Sequence, residues 1–134
     1  MLLWIILALV LGALAYVRFS PSDPIAWHVA PSVTADADMK RGAKRLVAAG
    51  PDALARLDAI AQATPRTSVL AGSVAEGMIT YVTRSKAIGF PDYTTVQQDG
   101  DTLKIYARLR FGRSDLGVNK ARIDGWIGAL QAGG

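Results

Sequence analysis

The chain contains no cysteine and a single histidine, His28. The first absence excludes disulfides, thiolate metal sites, cysteine nucleophiles and a lipoprotein anchor. The second removes most zinc and triad chemistry. G-x-S-x-G, a Walker loop, H-E-x-x-H and a dinucleotide fingerprint are all missing. The balance of 15 Lys+Arg against 11 Asp+Glu gives a modest net charge of +4, and the arginines are interspersed with acids. Such a pattern carries no nucleic-acid footprint. Neither repeats nor low-complexity segments occur. These absences predict a protein that is not an enzyme and holds no cofactor or metal.

What the chain does have is a concentrated apolar run. Residues 1–17 read MLLWIILALVLGALAYV without a break, which as a helix reaches about 25 Å, near the lower limit for a membrane span. Trp4 and Tyr16 lie near its ends as interfacial aromatics would, and Arg18 can reach the headgroups. Pro21 and Pro24 then stop the helix. Residues 1–19 are therefore expected to be a transmembrane anchor. A cleaved signal peptide is the competing reading, with Ala13-Leu14-Ala15 as a small-x-small site, but no Lys or Arg precedes the run. Residues 20–39 carry three aspartates and no Lys or Arg, a stretch easy to translocate. It favours a domain outside the cytoplasm.

Residues 20–37 hold three prolines in their first twelve positions and read as an extended juxtamembrane linker. Trp27 and His28 lie within it, with Trp27 expected to rest on the membrane surface or on the domain. The 115 or so residues after the anchor suffice for one domain, placed at 38–134. Residues 38–47 fit a strand or a helix, with Lys40-Arg41 and Lys44-Arg45 on one helical face or split across an edge strand. Leu54, Leu57, Ile60 and Ala61 form a helical stripe after Gly50-Pro51-Asp52. Period-two segments at 68–75 and 78–85 flank Glu76-Gly77, and a second pair at 93–98 and 101–111 flanks Asp99-Gly100. In the last arm Leu103, Ile105, Ala107, Leu109 and Phe111 alternate with polar residues, leaving one wet or ligand-facing side. Asn119 can cap a final helix with Ile123, Trp126, Ile127 and Leu130 on its stripe. The fold class is α+β: an antiparallel sheet of two hairpins, with or without an N-terminal edge strand, packed by two helices.

Two segments are candidates for function. Residues 108–119, RLRFGRSDLGVN, run from a strand through a glycine-punctuated loop into a helix. There Arg110, Arg113, Asp115 and Asn119 suit a small anionic ligand, since guanidinium forks and helix-start amides hold carboxylate or phosphate. The same residues also suit a structural corner, with Asp115 paired to an arginine and Asn119 capping. The second segment is 88–93, IGFPDY, where Phe90, Asp92 and Tyr93 form either a partner-binding tip or a core plug. Asp92 and Asp115 are the only pair of acids there suited to acid–base work.

Those residues carry a resemblance. Gly89-Phe90-x-Asp92, Gly112-x-Ser114-Asp115-x-Gly117-x-Asn119 and the helix start Asn119-x-x-Arg122-Ile123 resemble the DUF1499 family, a domain of unknown function common in proteobacteria, over residues 39–130. Tyr93 stands where the family often has a second acid, and Leu109 where it tends to have serine, so part of its polar cluster is absent. The resemblance implies envelope or membrane association and no established activity. Together with the anchor it gives the expected setting: a bacterial inner membrane, crossed once, with the domain in the periplasm. The expected role is an accessory or assembly subunit of an integral membrane protein complex. The alternative is a periplasmic binder of a small anionic ligand.

Overall fold

In the computed structural model, which describes residues 1–133, the apolar run forms one helix, α1 (Leu2–Phe19). It is long and apolar enough to cross a membrane, and none of its residues is buried. It ends where Ser20 takes extended backbone, φ −62° and ψ 133°, the conformation that a following proline imposes. A single turn, α2 (Pro24–Trp27), follows, opened by Asp23 Oδ1, which accepts the Ile25 amide at 3.0 Å.

Next come β1 (Ala37–Met39), β2 (Gly42–Ala48), α3 (Ala53–Gln62), β3 (Thr67–Ser73), β4 (Met78–Arg84), β5 (Pro91–Asp99), β6 (Thr102–Leu109) and α4 (Val118–Gln131). The six strands form one sheet in the order β1-β2-β6-β5-β4-β3, with every neighbouring pair antiparallel. Both expected hairpins are present. Residues 38–47 resolve as strand rather than helix, and they contribute a third hairpin. β2 is not an edge: it pairs with β6 along its whole length, and β1 takes the edge. Strand alternation sends Lys44 to one face and Arg45 to the other. Arg45 is buried and grips both carboxylate oxygens of Asp124 on α4, at 2.8 and 3.2 Å, and Asp38 at 2.8 Å. A β2 helix would forfeit that clamp and the ladder to β6.

α3 and α4 cover one face of the sheet. Leu54, Leu57, Ile123, Trp126 and Leu130 meet Val47, Ile79, Tyr81, Val96, Leu103 and Ile105 there. Each such buried aliphatic side chain contributes roughly 1.5–3 kcal/mol. The Tyr81 ring meets Trp126 edge-on at 5.7 Å, and its hydroxyl donates to Asp58 at 2.6 Å. Burial and the Asp58 carboxylate both push that phenol up.

The opposite face departs from expectation. Residues 20–33 do not trail as an extended linker; they lie across β4, β5 and β6 as a strap. Trp27 stacks on Tyr93 with ring centroids 4.0 Å apart, and Arg108 donates to the Trp27 carbonyl at 2.6 Å and to Thr95 Oγ1 at 2.8 Å. His28 Nδ1 lies 2.8 Å from Thr80 Oγ1, and Val33 is buried. Gly72, at φ +89°, makes room for this: a Cβ there would meet the Met78 carbonyl oxygen at 2.1 Å and the His28 ring at 2.7 Å. The polar side of β6 is thus wet only in part, because Trp27 and its neighbours occupy the stretch around Arg108.

Candidate functional site

β4 ends and β5 begins at the same end of the sheet where β6 ends. The loops 85–90 and 110–117 therefore emerge side by side. In the first, Ser85 Oγ accepts the amides of Gly89 (3.1 Å) and Phe90 (2.9 Å), which folds the loop back on itself. Gly89 takes φ +82° to permit the turn. The second loop is tied to the β1–β2 turn by the Asp115 amide, which donates to the Lys40 carbonyl at 2.9 Å.

Asp115 organises the entry to α4. Its Oδ1 accepts the Gly117 amide at 2.9 Å; its Oδ2 accepts the Asn119 amide at 3.1 Å and Asn119 Nδ2 at 2.9 Å. Asn119 is not the cap expected of it. The helix starts two residues earlier, Gly117 occupies the cap position at φ +80°, and Asn119 is fully buried in the first turn. Its Oδ1 accepts from Arg122 Nη1 at 2.7 Å, while Arg122 Nη2 reaches Asp92 Oδ2 at 3.3 Å. Asp115, Asn119, Arg122 and Asp92 thus form one polar chain linking α4 to β5. Burial pushes the Asp92 carboxyl up, Arg122 pulls the other way, and the charge of Asp115 adds to the rise.

Between the two loops lies a cavity of about 300 Å³, with Phe90, Leu109, Phe111 and Val118 as apolar walls and Asp92 and Asp115 as the carboxylates. Phe111 also meets Tyr16 of α1 edge-on, ring centroids 6.0 Å apart. The cavity therefore adjoins α1. Nearby apolar side chains face solvent: Val118 is 50% exposed and Leu116, next to Asp115, 90%.

The sequence candidates separate. Phe90, Asp92 and Asp115 share the cavity, and Asn119 is joined to Asp115 directly and to Asp92 through Arg122. Arg110 turns to the strap, donating to the Pro21 carbonyl at 2.9 Å and to the Tyr93 hydroxyl at 3.2 Å. Arg113 stands in solvent. Tyr93 is on no exposed tip: it is fully buried under Trp27, with its hydroxyl 2.7 Å from Ser22 Oγ. Among the described residues no three His, Asp or Glu side chains cluster as metal ligands.

Sequence reasoning gave Arg122 no partner, although its spacing of three from Asn119 puts both on one helix face. The fastening of Trp27 by Arg108 was likewise missed, and no local signal marks it. A family model described as a protein of unknown function (DUF1499) matches residues 18–130, so the match takes in the strap as well as the sheet. No curated protein and no solved structure matches the chain.

Proposed function

The chain belongs to the DUF1499 family, and from that premise we propose that it is a single-pass, membrane-anchored, non-enzymatic accessory or assembly subunit of a membrane protein complex. Its setting in this reading is a bacterial inner membrane with the domain on the periplasmic side, in keeping with the absence of Lys and Arg from residues 20–39. The observation that carries it is the cavity between loops 85–90 and 110–117. Two segments distinctive in the sequence meet there, beside the anchor, with an apolar lining and exposed Leu116 and Val118 at its margin. An apolar segment of a partner at the membrane surface would be buried there, and that burial is the favourable term in docking.

The polar groups support binding rather than catalysis. Asp115 is fully engaged by three N–H donors and Asp92 is paired with Arg122, so both hold the loops in place. The geometry favours an anionic-ligand site less, because the charged groups lining the cavity are carboxylates and Arg110 and Arg113 lie elsewhere.

Native electrophoresis of gently solubilised membranes, with mass spectrometry of co-migrating chains, tests the proposal. The wild type is expected in a large complex. Leu116→Asp with Val118→Asp is expected to migrate alone while melting like the wild type. Aspartate tolerates the left-handed backbone of Leu116 (φ +54°) and suits the first turn of a helix at 118. A wild type that migrates alone, or a double variant that stays in the complex, overturns it.

A further inference from the structure

A second hollow, of about 500 Å³, lies where the end of α1 meets the domain. Its walls include Arg18 and Phe19 from the anchor, Arg66 at the start of β3, Arg84 at the end of β4, and Lys86. Four cations converge there, and among the described residues no carboxylate lines the hollow. We propose that it binds the phosphate of an anionic membrane lipid.

The positions of the cations support this. Arg84 is held in place by the backbone: it donates to the carbonyls of Gly89 (2.9 Å), Val17 (3.3 Å) and Ser20 (3.4 Å), so it ties the anchor's last turn to the sheet. Arg66 spends its Nε on the Arg84 carbonyl at 3.1 Å. Arg18 lies along the domain, its side chain 3.2 Å from where a Cβ on Gly89 would sit. Among the described residues Arg18, Arg66 and Lys86 form no salt bridge, and all three are exposed. Like charges lining one hollow repel one another, and an anion in the hollow would relieve that repulsion. The anchor's own end forms one wall, so the hollow opens where lipid phosphates lie. Phe19, 75% exposed, would sit at the same depth. The soluble alternative is a free phosphate, which has the same chemistry but no reason to be met beside the anchor. The hollow shares Ser85 with the cavity proposed for docking, but none of its four cations lines that cavity, so the lipid test does not depend on the docking proposal.

Native mass spectrometry of the full chain released from detergent micelles tests the assignment, with phosphatidylglycerol and phosphatidylcholine as probes. Phosphatidylglycerol is expected to remain bound in preference to phosphatidylcholine and to survive an excess of inorganic phosphate. Arg66→Gln with Lys86→Gln is expected to weaken it about 25-fold, from about fivefold per cation at a membrane surface. Arg113→Gln, outside the hollow, is expected to leave retention unchanged. Melting in lipid-free micelles checks that each variant is folded. Equal retention of the two lipids, displacement by inorganic phosphate, or full retention by a folded double variant would each overturn the proposal.

Discussion

Arg122→Ala is expected to destabilise the domain by about 3–5 kcal/mol at neutral pH, the usual result of removing one partner from a buried ion pair. Arg122 and Asp92 are only 13% and 14% exposed, so water cannot replace the lost guanidinium cheaply. The substitution also leaves the buried Asn119 Oδ1 without its donor. The cost should depend on pH, and the sign follows from Asp92. Its carboxyl is pushed up by burial even with Arg122 beside it. The folded state therefore holds the proton more tightly than the unfolded chain does. Asp92 thus contributes stability below the ordinary carboxylate range, and that contribution is lost as pH rises through its folded value. Removing Arg122 raises the carboxyl further, so the variant should lose more stability at pH 7 than at acid pH. Asp92→Asn in the Arg122→Ala background should recover part of the loss at pH 7 and flatten this dependence. Urea unfolding of the four proteins of the cycle across the acid range reads the coupling directly. A pH-independent loss would mean that Arg122 acts through Asn119 alone.

Trp27→Ala is expected to lift the strap, at a cost of about 3 kcal/mol. That figure sits at the low end for removing a large aromatic side chain because Trp27 is half-buried. The change removes the stack on Tyr93 and the ring face over which the Arg108 guanidinium lies, 5.5 Å from the centroid. Burial holds Arg108 below its ordinary arginine value, and lifting the strap would return it to water. The loss should be local first. Residues 20–33 should become open to proteolysis, and the amides of 93–95 should exchange faster, at denaturant concentrations where α3 and α4 stay protected. Trp27→Phe should keep most of the protection, since it retains a ring over Tyr93. Equal protection of the strap in the wild type and Trp27→Ala would show that residues 20–33 are fastened elsewhere.

Legibility in the sequence tracked how local each interaction is. α3 and α4 were readable because Leu54, Leu57 and Ala61, or Ile123, Trp126 and Leu130, fall on single stripes of one element. The turns Glu76-Gly77 and Asp99-Gly100 set both hairpins for the same reason. β2 was ambiguous because the burial of Arg45 depends on Asp124, 79 residues away. The strap read as a linker because its prolines are a local signal of extension. The Tyr93 and Arg108 that capture Trp27 come from strands far along the chain. The candidate site divides in the same way. For Asp115 and Asn119 the structural corner stands beside the ligand site in the sequence, but the corner observed is of another kind: Asp115 accepts amide N–H groups instead of pairing with Arg110 or Arg113, and Asn119 lies inside the helix instead of capping it. Their connection to Asp92 needed Arg122 to be placed in space. Spacing alone groups Arg110 and Arg113 with them. The chain leaves β6 at Leu109, so strand alternation no longer sets their directions.

Site-specific photo-crosslinking in intact membranes tests whether a membrane protein docks at the cavity between loops 85–90 and 110–117. A photoreactive residue would be placed at Leu116, beside the cavity, and in a second protein at Glu76, about 20 Å away at the other end of β4. A discrete adduct with one membrane protein is expected from position 116, lost when Val118→Asp is added, and none from position 76. Adducts confined to lipid, or the same protein captured equally from both positions, would contradict it.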